Sequence, residues 1–160
     1  DGIFKKFEYI RHPAKWDEVW DNYNHFKSLD WMYVQVCHTV SLYNIYYLDE
    51  FVDMFGRENI YLNLLHFPRQ YCVRNMPDVC KKQVEDKLIN MTDMNDIISF
   101  MNQEPNFDKL DLGFLPVTER LDGLRNECYS EVFPEFYRIL IDGGIGKEPW
   151  NPKQYFGQIS

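Results

Sequence analysis

The sequence predicts an α/β chain: two parallel strands, each preceded by a helix, and then a wholly helical C-terminal region. Three observations lead there. Two runs rich in β-branched and aromatic residues, 31–40 and 59–66, flank a stretch with helical period. Another helical period precedes the first run, and crossovers of this length between strands imply parallel pairing. From Pro77 onward only helical spacing recurs.

The elements follow in order. Asp1-Gly2 is a turn signal. Pro13 suits the first position of a helix, and Trp16, Val19, Trp20, Tyr23 and Phe26 give that helix an apolar face up to about Leu29. The run from Trp31 to Val40 carries apolar side chains at both parities, which predicts a strand buried on both faces. Leu48, Phe51, Val52 and Phe55 return to helical spacing, and Gly56 stands where a C-terminal cap belongs. Asn59 to His66 is the second strand. Cys80, Val84, Leu88 and Met91 mark a helix opened by Pro77. Thr92 is placed to cap the next, with Met94, Ile97, Ile98 and Met101 as its stripe. Pro116 precedes Val117, Leu121 and Leu124. Ser130 is placed to cap a last helix with Phe133, Phe136, Tyr137 and Leu140, ended by Gly143, Gly144 and Gly146. The tail from Lys147 has no regular period and would be held by docking Trp150, Tyr155 and Phe156.

Composition narrows the function. The 160 residues hold 25 Asp+Glu against 17 Lys+Arg, a formal charge of -8, and no long basic block, which argues against nucleic acid or an anionic membrane as partner. No apolar run reaches the roughly 18 residues of a spanning helix, and the N-terminal stretch does not read as a signal peptide, so the expected compartment is the cytoplasm. Cys37, Cys72, Cys80 and Cys128 form no Cys-x-x-Cys pair, and most of them are expected to be plain core residues. Rings make up 17% of the chain, so they must supply much of any core.

Few single residues point to chemistry. His12, His25, His38 and His66 show no ligand spacing. Asp108, Asp111, Glu119, Asp122 and Glu127 form a loose acidic run that reads as a solvated helix face. Asn90-Met91-Thr92 is formally a glycosylation sequon but reads as a helix boundary, and no glycine-rich phosphate loop is present. The ends of the strands are the better candidates, because α/β folds bind ligands there. Thr39, Ser41 and Asn44 run off the first strand, and His66 off the second. Their hydroxyl and amide groups suit ribose, carboxylate or amino groups. The same residues also turn a chain and cap the helix that follows.

Asp1-Gly2, Glu8-Tyr9-Ile10-Arg11-His12-Pro13, Trp16 and Val19 together resemble the segment after the fourth barrel strand of radical S-adenosylmethionine enzymes. The most similar group carries SPASM or twitch extensions, with a pattern near Ser-x-Asp-Gly…Glu-Tyr-x-Arg. Thr39-Val40-Ser41 with Asn44-Ile45 resembles that group's fifth strand, and Leu64-Leu65-His66-Phe67-Pro68 its sixth. Leu121-Asp122-Gly123-Leu124-Arg125 and Val132-Phe133-Pro134-Glu135-Phe136 resemble its C-terminal pattern.

The resemblance implies the C-terminal half of a partial (βα)6 barrel at 1–70, a helical extension at 71–142 and a tail at 143–160. It implies S-adenosylmethionine and a [4Fe-4S] cluster in the full-length enzyme, the cluster held by a Cys-x3-Cys-x2-Cys motif that this sequence does not contain. The partner implied is the N-terminal half of the same polypeptide. Asp1 and Arg11 would flank the cofactor. Thr39, Ser41 and Asn44 would lie by its ribose and methionine part. Leu64 and Leu65 would offer backbone to the adenine, and His66 would face a peptide or small-molecule substrate. The function expected is radical hydrogen abstraction by the complete enzyme, not by this chain alone. The alternatives are a stand-alone, non-catalytic α/β binding module and, in another class, a helical interaction protein whose short apolar runs are buried helix.

Overall fold

A computed structural model describes residues 1–105 and 113–145. Among them are eight α-helices and one two-stranded parallel sheet. The α/β class, the parallel pairing and the helical C-terminal region are therefore as expected, and the reading as a purely helical protein is overturned by the sheet.

The first element is a helix that the turn signal at Asp1-Gly2 hid. α1 (Phe4–Ile10) runs where no element was expected. Pro13 then lies in the turn after α1, not at the head of a helix, and α2 (Trp16–Lys27) starts three residues later. Its first N–H is taken by the Glu8 carboxylate of α1 at 3.1 Å, which does the work expected of the proline.

β1 (Val36–Val40) and β2 (Ile60–Leu64) pair in register from Val36 opposite Ile60 to Val40 opposite Leu64. Both are shorter than the runs that announced them. Trp31 and Tyr33 stay about three-quarters exposed ahead of β1, because no neighbouring strand among the described residues continues the ladder beside them. Among the described residues the sheet is covered on one face only. Val36, His38, Val40, Ile60, Leu62 and Leu64 point into the protein, whereas Cys37, Tyr61 and Asn63 are exposed. The expected burial of both faces is thus corrected: polar Asn63 and Thr39 occupy the open side.

The covering layer is helical. α3 (Leu48–Phe55) crosses between the strands and presents Leu48, Phe51 and Phe55 inward. It stops at Gly56, whose φ of 76° favours glycine, and a Cβ there would lie 2.6 Å from the Glu58 carboxylate. Ile3, Phe7, Trp16, Trp20 and Tyr23 of the α1–α2 region join Phe51, Phe55, Val36 and Ile60 in one apolar cluster, with Trp16 stacked on Trp20 and Trp20 on Tyr23.

The remaining helices build the larger core. α4 (Asp78–Leu88) buries Cys80, Val84 and Leu88, and α5 (Asn95–Met101) buries Ile97, Ile98, Phe100 and Met101. Met94, not Thr92, precedes α5 as its cap residue. α6 (Phe114–Arg125) holds Pro116 in its first turn and ends at Asn126, a left-handed residue that breaks it. α7 (Tyr129–Val132) is a single turn that contains Ser130, and α8 (Pro134–Asp142) starts on its own proline. These helices enclose a buried cluster that runs from Tyr9 through Val40, Leu42 and Tyr47 to Phe133, Phe136 and Ile145. Gly143 approaches Cys80 so closely that a Cβ would collide with its sulfur. Asp108, Asp111, Gly146 and the tail from Lys147 lie outside the described residues.

Candidate functional site

Five residues selected from the sequence meet at the carboxyl end of β1. The outward N–H of Thr39 donates to Asp1 Oδ1 at 3.4 Å, and Arg11 Nε donates to Asp1 Oδ2. Asn44 Nδ2 donates to the Thr39 carbonyl at 2.9 Å and to the Asp1 carbonyl at 3.1 Å. The Ser41 N–H in turn donates to Asn44 Oδ1 at 2.9 Å, and Ser41 Oγ accepts from the Tyr43 N–H at 3.3 Å. Residues spread over 44 positions therefore form one continuous polar network at a strand end.

The network has a buried half and an open half. Ser41 and Asn44 are 5% and 2% exposed, so their groups are spent on holding the turn. Asn44 reaches back three positions to the Ser41 N–H, while Ser41 Oγ takes the N–H of Tyr43 inside the same turn. Arg11 is the open half, with 55% of its side chain exposed and its outer nitrogens free of partners among the described residues. Thr39 is half-buried on the bare face of the sheet. A guanidinium beside a hydroxyl at a strand end suits a ligand with a carboxylate and hydroxyl groups.

His38 lies just beneath. It is fully buried, its ring sits 4.2 Å from that of Phe51, and neither ring nitrogen reaches a hydrogen-bond partner. Burial holds its pKa well below the usual 6.5. His38 is thus a buried, neutral residue behind the network.

The second strand contributes less. The Leu65 N–H is spent on the Val40 carbonyl at 3.1 Å. In a parallel ladder this turns the backbone of Leu64 to the outer edge of β2, where it remains open. His66 is exposed next to it, with its ring edge-on to Phe100 at 4.9 Å.

The cysteines do not make a cluster site. Cys72 and Cys80 are buried, Cys128 is half-buried and Cys37 is exposed. The expectation of plain core residues fits two of the four. No group of three metal-ligating side chains occurs among the described residues. The described cysteines, divided between core and surface, therefore do not fit an iron–sulfur cluster.

Sequence reasoning missed the role of the acidic run. Asp122 is half-buried rather than a free surface carboxylate: it accepts the Tyr9 hydroxyl at 2.5 Å and the Tyr129 N–H at 2.7 Å. Glu127 bridges His12 at 3.1 Å and Arg125, whose guanidinium donates to the Tyr9 carbonyl. Among the described members of the run, Glu119 alone is exposed. Nothing in the spacing of that run distinguishes these cases, because each partner lies more than 100 positions away on α1 or just after it, apart from Arg125 and Tyr129.

No protein-family model matches the chain, and neither a curated protein nor a solved structure does.

Proposed function

We propose that the chain is the C-terminal portion of a radical S-adenosylmethionine enzyme, which supplies strand ends that bind cofactor and substrate for hydrogen abstraction from a peptide or other small substrate. The observation that carries this reading is the convergence of Asp1, Arg11, Thr39, Ser41 and Asn44 at the carboxyl end of a parallel strand. When bound with its cluster, the cofactor supplies the carbon radical that removes the hydrogen atom. In this reading the chain's own residues bind and orient. Arg11, held by Asp1, offers its outer nitrogens to the cofactor carboxylate. Thr39 offers a hydroxyl, and the open backbone of Leu64 a donor and an acceptor to the adenine. Ser41 and Asn44 fix the turn that places Thr39, and His66 stands exposed toward substrate. Cluster ligands and the partner strands come from the N-terminal half of the same polypeptide.

Calorimetric titration of the 160-residue chain with S-adenosylmethionine tests this. A saturable isotherm weakened about tenfold or more by Arg11→Ala is expected, the loss of one charge-assisted hydrogen bond of about 1.5 kcal/mol or more. Absence of heat, or an affinity indifferent to Arg11, would remove the reading. A second reading, a non-catalytic binding module, draws on the single buried cluster that joins the sheet to α4–α8. That reading expects a cooperative melt of the chain and no affinity for S-adenosylmethionine.

A further inference from the structure

We infer that Lys81 is an amine nucleophile: the groove between α4 and the end of α5 admits a small, uncharged aldehyde or ketone, which Lys81 Nζ captures as an imine while Asp78 and Glu85 carry the protons. The placement of Lys81 is the first observation. α4 turns Cys80, Val84 and Leu88 into the core, and Lys81 is buried with them, its side chain only 7% exposed. No other lysine among the described residues is buried. The other partly covered lysines have close acceptors: Lys6 meets Glu50 at 2.8 Å, and Lys87 meets Asp49 at 2.8 Å and the Tyr46 carbonyl at 2.7 Å. Lys81 Nζ makes no hydrogen bond among the described residues, and the carboxylate within reach, on the fully exposed Asp78, stands 3.9 Å away. An ammonium taken out of water without an acceptor is costly, and a neutral amine is less so. Burial accordingly lowers the Lys81 pKa from the ordinary 10.5; Asp78 and Glu104 oppose this and Arg74 adds to it.

The surroundings are the second observation. Lys81 lines a groove of about 500 Å³ together with Asp78, Lys82, Glu85, Asp86 and Asn102, a volume suited to a small molecule. Asp78 and Glu85 stand three positions before and four after Lys81, so all three share one face of α4. Asn102 Nδ2 holds Glu85 Oε2 at 3.0 Å and fixes that carboxylate. Two lysines against three carboxylates line the groove, which disfavours an anionic ligand. A desolvated amine flanked by carboxylates is what imine formation needs. The Nζ lone pair attacks the carbonyl carbon, and the C–N bond forms as the π pair moves to oxygen. A carboxylate passes the nitrogen proton to that oxygen. The oxygen leaves as water when the nitrogen pair closes the C=N bond. The step is a condensation, so it needs neither oxidant nor reductant.

The test incubates the 160-residue chain with glyceraldehyde and cyanoborohydride, which reduces an imine to a stable secondary amine, and maps the modified lysines by peptide mass spectrometry. Lys81 should carry most of the adduct at pH 7. Its share should fall as the pH is raised toward 10, where the exposed lysines lose their protons as well. The double variant Asp78→Asn, Glu85→Gln should label Lys81 about tenfold more slowly or less, with an unchanged rate at exposed Lys82 and an unchanged melt. Three results would overturn the inference: adducts on the exposed lysines with Lys81 bare, labelling of Lys81 only in denaturant, or a Lys81 rate indifferent to the loss of both carboxylates. Capture of glyceraldehyde is read at Lys81 alone, so it stands or falls separately from the binding of S-adenosylmethionine.

Discussion

The Tyr9 hydroxyl donates to Asp122 Oδ1 at 2.5 Å across 113 positions of sequence, and the other oxygen of the same carboxylate takes the Tyr129 N–H at 2.7 Å. One side chain of α6 thereby ties α1 to α7. It joins the two sequence patterns, Glu8-Tyr9-Ile10-Arg11 and Leu121-Asp122-Gly123-Leu124-Arg125, that suggested a family from opposite ends of the chain. Rings close the same joint, with Tyr9 packed on Tyr43, Tyr129 and Phe133 at centroid distances of 5.4–6.0 Å.

The cost of breaking this tie should be unequal. Tyr9→Phe removes one hydrogen bond and leaves Asp122 its second partner, so a loss of about 1 kcal/mol is expected. Asp122→Ala strands a buried hydroxyl and a backbone N–H together, and should cost about 2–3 kcal/mol. Urea unfolding of both single variants and the double variant checks this. The double variant should lose less than the two losses added. Full additivity would mean that the two groups do not interact.

His38 should make the chain acid-sensitive. Its folded pKa lies well below 6.5 because of burial, so below about pH 6.5 the unfolded chain takes up a proton that the folded chain refuses. Stability from this group is complete above 6.5 and declines as pH falls, by up to about 1.4 kcal/mol per pH unit, until the folded pKa is reached. His38→Leu should flatten that part of a stability–pH profile. A profile of the same slope in both proteins would assign the acid sensitivity elsewhere.

Asn44→Ala should destabilise by about 2 kcal/mol, since it removes the partners of the Ser41 N–H and of the Thr39 and Asp1 carbonyls together. Asn44→Asp restores only the acceptor and should recover part of the loss. Thermal melts of the three proteins decide it, and equal melting temperatures would show that the turn holds without the amide.

Thiol labelling should separate the cysteines by burial. Cys37 should react in the folded chain, whereas Cys72 and Cys80 should wait for denaturant. Burial pushes the Cys80 thiol up to about 11, which keeps it protonated at neutral pH. Rapid reaction at Cys80 without denaturant would contradict the packing of α4 against α8.

Phe133 is a core position whose truncation should be costly. It is fully buried, and its ring lies 4.9 Å from that of Tyr129 and 5.6 Å from that of Tyr47. Phe133→Ala should lose about 3–5 kcal/mol, read from the shift in urea midpoint. A loss under about 1 kcal/mol would mean that the surrounding rings collapse into the space.

Periodicity carried the local structure well. The apolar spacing of α3, its stop at Gly56 and the β-branched content of Val36–Val40 each state a local preference that packing then satisfies. The turn at Ser41 and Asn44 was legible too, because their side chains act on backbone only a few positions away. What failed locally was α1, whose phase is masked by a turn signal before it and a proline after it, and the length of both strands, which depends on neighbours.

The opening α/β prediction thus came from the chain alone: helical and strand periods, the parallel order they imply, and polar residues at a strand end. Tertiary structure alone decided the rest. It brought Asp1 and Arg11 to the β1 edge, made the half-buried Asp122 an anchor between α1 and α7, and left one face of the sheet bare of other described residues. The physical reason is range. Dihedral preference and apolar period act over a few residues, whereas hydrogen bonds and burial across a core join positions up to 113 apart, which no local pattern encodes.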